Sequence, residues 1–131
     1  MSLTGAKEYL AKLDNLSPLV SEQTKVGRHL FEKYVPDVVR ARALLNGEIM
    51  KPGALETKYK ELIAAAIASI TGANCCIDFH VRNAIMEGAS AQQVAEAVAV
   101  AIATASGPIY SNFGPRVIEL AEEFEKEHRC K

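Results

Sequence analysis

Alanine at helical spacing constrains this chain more than any other feature. Residues 55–70 place Tyr59, Leu62, Ile63, Ala66, Ile67 and Ile70 on an apolar face. Residues 91–105 do the same with Val94, Ala97, Val98, Ala101, Ile102 and Ala105. The first of these segments carries a second line, Glu61, Ala65, Ala68, Gly72. Its side chains are small enough for a neighbouring helix to come close, with a carboxylate at one end. From spacing alone Glu61 reads as a surface partner for Lys58 or Lys60. No segment alternates apolar and polar residues over a strand's length, so the expected fold class is all-α.

The other elements follow from start and stop signals. Leu3, Leu10 and Leu13 suggest a short first helix ending near Asp14-Asn15. Ser17-Pro18 is a cap followed by proline, and Val20, Gln23, Gly27, Leu30, Phe31 and Tyr34 continue at near-helical spacing. His29 lies in this helix as a surface or packing residue. Pro36 opens another short helix through Val38, Val39, Ala41, Leu44 and Leu45, which Asn46-Gly47 should end before a loop at 48–53. Ser90 is placed to cap 91–105. After Gly107-Pro108, Ile109 to about Glu127 should form the last helix, with Val117, Leu120, Ala121 and Phe124 inward and Gly114-Pro115 kinking or splitting it. This gives one domain over 1–131, its core about 16–124, with a charged, solvated tail from Glu122 to Lys131.

At 131 residues, 49% of them apolar, the chain has enough material for a core, but without Trp it must build it from Ala, Val, Ile and Leu. A formal net charge of -1 argues against nucleic acid or an acidic membrane surface as a partner. Leu62–Ile70 is too short to span a bilayer, and Met1–Leu10 has no signal-peptide pattern. Three cysteines, two adjacent, make no disulfide framework, and a reducing, cytoplasmic location is expected. Neighbouring cysteines also lack Cys-x-x-Cys ligand geometry, so neither a metal nor another cofactor is expected. The small-residue faces point to self-association.

Chemistry is concentrated between Ala73 and Gly88. Ile77, Val81, Ala84 and Ile85 make a helical stripe there, Gly72 breaks the chain before it, Asn74 is a candidate cap, and Gly88 suits a left-handed end. Cys75 and Cys76 fall in the first turn, where unpaired amides and the helix dipole favour a thiolate. Cys76 and His80, four residues apart, share a face and can share a proton.

At Glu61 and Cys76-Ile-Asp-Phe-His80 the sequence resembles the carboxymuconolactone decarboxylase/AhpD-like family. The resemblance runs from about Leu16 to Glu123. It is carried by Gly53-Ala-Leu-Glu-Thr-Lys-Tyr-Lys-Glu-Leu-Ile63, by Cys76–His80 with the following Val-Arg-Asn-Ala, and by Gly88-Ala-Ser-Ala-Gln-Gln-Val-Ala-Glu-Ala97. It implies an AhpD-like helical fold of about six to seven helices, assembled as a trimer or hexamer.

In the AhpD-like branch it implies a thiol peroxidase. There the second cysteine of a Cys-x-x-Cys pair attacks peroxide, the first resolves the product as a disulfide, and glutamate and histidine relay the proton. Cys76, His80 and Glu61 match those roles. Ala73 stands where the resolving cysteine belongs, and Cys75 occupies a relay position that is often histidine. A disulfide between neighbours fits poorly in a helix, Cys130 lies on the charged tail, and a small external thiol is the remaining reductant. In the decarboxylase branch the resemblance implies a lyase on a small cyclic acid. His80 would be its acid/base and Arg82 its carboxylate anchor, a solvent-facing arginine being the plainer reading of Arg82. A metal site made of Cys75 or Cys76 with His80 and Glu61 is a third, less favoured reading, and a scaffold without chemistry is a fourth. The expectation is a peroxidase-type thiol oxidoreductase.

Overall fold

A computed structural model describes residues 3–13, 18–105 and 109–130. Among them are seven α-helices, one π-helical turn and no strand, as the absence of alternation requires. No helix among the described residues is long and apolar enough to cross a membrane. The chain divides into two compact units, residues 1–53 and 54–131.

The first unit holds α1 (Leu3–Leu13), α2 (Pro18–Tyr34) and α3 (Pro36–Met50). Asp14-Asn15 and Ser17, the proposed stop and cap, lie outside the described residues. Gly47 does not end α3 as its sequence suggests. It is buried inside the helix, where α1 crosses at Gly5. A Cβ at Gly47 would stand 2.4 Å from the carbonyl carbon of Gly5. Backbone meets backbone there, so no side chain can yield. Gly47→Ala should therefore destabilise the α1–α3 contact by about 1–3 kcal/mol. Faster amide hydrogen exchange across 1–53 would show it, and unchanged protection would refute the close crossing.

The second unit holds α4 (Thr57–Thr71), α5 (Asn74–Met86), α6 (Ala91–Ala105), a π-helical turn (Ile109–Phe113) and α7 (Gly114–Arg129). Helices α4 and α7 each pack against both α5 and α6. Their core includes Ile77, Val81, Val94, Val98 and Val117, all essentially removed from solvent. Burial of side chains this size contributes about 1.5–3 kcal/mol each. Val117, Leu120, Ala121 and Phe124 point inward as expected, and the break at Gly114-Pro115 becomes the join between the π turn and α7. The charged end does not leave the fold at Glu122. It continues as exposed helix to Arg129, with Phe124 still buried.

Ser90 caps α6 as predicted. Its Oγ accepts from Gln93 N at 3.1 Å, while its own N donates to Gln93 Oε1 at 3.1 Å, a reciprocal capping box. Asn74 is not a cap. It is the first residue of α5, and Ala73 before it offers no side-chain hydrogen bond.

Helix α4 bears out the small-residue line as a close-packing side and corrects most of the larger apolar face, of which Leu62 is buried. The alanine line is the buried one, with Glu61 and Ala65 at 0% exposure and Ala68 at 5%. The larger side chains Tyr59, Ile63, Ile67 and Ile70 are 43–55% exposed. Hydrophobicity alone ranks the isoleucine face as inward. Close helix–helix approach favours the side that costs least distance, and that side is alanine. The helix ends at Gly72, left-handed at φ 66, whose amide donates to Ala68 O. Phe113 packs so tightly on Gly72 that an added Cβ would lie 2.5 Å from its ring. Only Gly72 and Ala73 separate α4 from α5, so the two helices form a tight hairpin.

Candidate active site

The buried face of α4 brings Glu61 against α5. Its side chain is 0% exposed, which overturns the surface reading; Lys58 instead lies over the Tyr59 ring at 5.0 Å. A buried carboxylate costs several kcal/mol unless it is bonded. Its partner is His80, whose Nδ1–H donates to Glu61 Oε2 at 2.6 Å. With Nδ1 turned to the carboxylate, Nε2 is the ring nitrogen left for other partners. His80 also packs edge-on against Phe79, with centroids 5.1 Å apart at 81°. The imidazole is thus oriented from two sides and keeps 17% side-chain exposure. The second carboxylate oxygen, Glu61 Oε1, is buried without a hydrogen-bond partner among the described residues.

Cys76 lies one turn before His80 on the same stripe of α5 and is half-buried against the core. Cys75 beside it is exposed, with the two Sγ atoms 4.0 Å apart. A disulfide needs about 2.05 Å, so these neighbours stand as two thiols. Cys130 is exposed at the C-terminal cap of α7.

Arg82 is not on this face. Two residues on from His80, it turns about 200° round the helix and packs towards α7. Its guanidinium carbon lies 4.1 Å from the Phe124 ring centroid, and Nη2 lies 3.3 Å from Glu127 Oε2. It is neither solvent-facing, at 17% side-chain exposure, nor aimed beside His80. His29 is exposed, as expected.

Two buried polar residues of α5, Asp78 and Asn83, escaped the sequence reading. Asn83 is 2% exposed, and its Nδ2 has no hydrogen-bond partner among the described residues. The signal was present: Cys76, His80 and Asn83 fall at i, i+4 and i+7, one line along a helix.

The helical fold agrees with the relationships of the chain. The sequence model of the carboxymuconolactone decarboxylase family matches residues 36–113, and the chain belongs to that family. An uncharacterized protein encoded in the cox locus of Paracoccus denitrificans is 36% identical over 78 residues, 60% of this chain and 70% of that protein. An uncharacterized protein of Cupriavidus necator is 39% identical over 56 residues, which span 43% of this chain and half of the other. Among solved structures, a carboxymuconolactone decarboxylase family protein from Legionella pneumophila superposes with a TM-score of 0.74 at 27% identity, over 81% of this chain and 94% of that one. A carboxymuconolactone decarboxylase-type protein from Burkholderia xenovorans gives a TM-score of 0.76 at 22% identity, over 97% and 92% of the two chains. That last likeness speaks for the fold alone. The relationships fix the family and the helical architecture, and they do not choose between the reactions the family name and its AhpD-like branch suggest.

Proposed function

We propose that the protein is a peroxidase-type thiol oxidoreductase in which Cys76 is the nucleophile and Glu61–His80 its proton-handling pair. The observation that carries this reading is the buried Glu61 carboxylate held 2.6 Å from His80 Nδ1, one turn along from the thiol. His80 Nε2 takes the proton of Cys76, and Glu61 stabilises the imidazolium that forms. The thiolate attacks the terminal oxygen of an organic hydroperoxide. A sulfur–oxygen bond forms, the oxygen–oxygen bond breaks, and the alkoxide leaves as alcohol with the proton from His80. Cys76 is then a sulfenic acid. Because Ala73 provides no resolving thiol, a small external thiol condenses with it, releasing water. A second thiol frees Cys76 and leaves as the disulfide. Turnover of organic hydroperoxide by the purified protein with excess small thiol tests the reading, and a protein that leaves the peroxide untouched overturns it.

The lyase reading has less support. It asks Arg82 to anchor a carboxylate beside His80, whereas Arg82 is taken up by Phe124 and Glu127 on the other side of α5.

Self-association belongs to the same proposal. Tyr59, Ile63, Ile67 and Ile70 make a continuous exposed apolar face on α4, and a helix apolar on both sides is ordinarily buried on both. A second copy is the occupant we assign to it. Ile67→Glu should shift sedimentation towards smaller species, and a wild-type monomer at every concentration would contradict the assignment.

A further inference from the structure

We propose that Cys75 and Cys76 form a two-thiolate clamp for a thiophilic d10 cation of the zinc class, which brings its remaining ligands from water or an external thiol. A tetrahedral ion bonded to sulfur at about 2.3 Å holds two of its sulfurs about 3.8 Å apart. The two Sγ atoms stand 4.0 Å apart, so about two tenths of an ångström of closure seats the ion. A sulfur–sulfur bond at about 2.05 Å would need closure by roughly ten times as much, between adjacent residues of one helical turn. Neighbouring cysteines lack the Cys-x-x-Cys geometry of a closed site, but the pair's spacing favours a bridging atom over a disulfide and so departs from the sequence expectation of no metal. Access is open, because Cys75 is exposed and Cys76 only half-buried.

The number of ligands sets the kind of ion. Among the described residues no group of three or more His, Cys, Asp or Glu side chains is placed to hold a metal. This is consequently not a closed structural site. The clamp contributes two thiolates, and soft sulfur donors select zinc-like cations over magnesium or calcium. Binding is ligand exchange without redox. Both thiols release their protons to solvent, two metal–sulfur bonds form, and water leaves the ion. If Cys76 is the nucleophile proposed above, the bound ion occupies its lone pair and silences it, so the clamp is an inhibitory site on the same sulfur. The clamp itself does not depend on that reading.

Titration of the reduced full-length protein with Cd2+, followed by sulfur-to-cadmium charge-transfer absorption, tests the clamp, with Zn2+ as competitor. One ion per chain is expected, displaced by Zn2+. Cys75→Ser, a change at an exposed position, should weaken binding by about 10²-fold or more, because the second bond is then no longer intramolecular. Cys130→Ser should leave binding unchanged. Equal affinity in wild type and Cys75→Ser, or binding that follows Cys130, overturns the proposal. A protein that binds the ion but never consumes peroxide retains the clamp and loses only the peroxidase reading. Reduced protein whose single-turnover oxidation by peroxide, followed without added thiol, is unaffected by stoichiometric Cd2+ keeps the peroxidase and loses the clamp.

Discussion

Cys76→Ser should abolish thiol-driven consumption of organic hydroperoxide, whereas Cys75→Ser should only weaken it. The expected loss at Cys76 is more than about 10³-fold, because serine lacks the polarizable, ionisable sulfur that attacks the peroxide. Cys75 is exposed and tied into the site only through its neighbour. The contrast matters more than either value. A lyase built on His80 would survive loss of both thiols, so activity in the Cys75→Ser, Cys76→Ser double variant would reverse the assignment. Mass spectrometry after mild peroxide treatment supplies the second readout. Cys76 should carry the added oxygen, or a mixed disulfide when a small thiol is present, and a Cys75–Cys76 disulfide should not appear.

The acid–imidazole pair should respond asymmetrically to removal of its two members. His80→Ala leaves Glu61, wholly buried, without its bonding partner. Removing one partner of a buried pair costs about 3–5 kcal/mol. Glu61→Leu removes the buried charge instead, and such replacements are often neutral or stabilising. Urea midpoints should therefore fall sharply for His80→Ala and hold or rise for Glu61→Leu. Peroxidase rates should drop in both, by about 10²–10⁴-fold for the loss of acid–base assistance. A Glu61→Leu protein that keeps full activity would show the carboxylate to be a packing accident. Equal destabilisation by both changes would deny that it is buried at a cost.

The helices were legible in the sequence because their signals are local. Ser90 with Gln93 is a capping box that needs nothing beyond four residues, and Gly114-Pro115 splits the last helical region by stereochemistry alone. The inward face of α4 was legible only in part, since its small-residue line was read as room for a neighbouring helix while the isoleucine face was read as inward too. Hydropathy favours isoleucine and tyrosine over alanine, and only the distance between helix axes, a tertiary quantity, decides that Ala65 and Ala68 go inside. The same blindness sent Glu61 to the surface by spacing, although family resemblance placed it beside His80. Gly47 was misread for a similar reason. As a local signal glycine ends helices, and only the crossing of α1 shows that its missing side chain is used as space. Arg82 could not be placed without α7. Its distance from His80 follows from helical angle, but its partners Phe124 and Glu127 lie far along the chain.

The short link through Gly72 and Ala73 has a hereditary consequence. Carboxylate, imidazole and both thiols all lie within the single hairpin 57–86, so one continuous stretch of the chain carries the whole set. Exchange of the flanking helices between relatives can remodel what surrounds these residues without parting the acid from its base. A frame-preserving insertion between residues 71 and 74 would part them at a stroke.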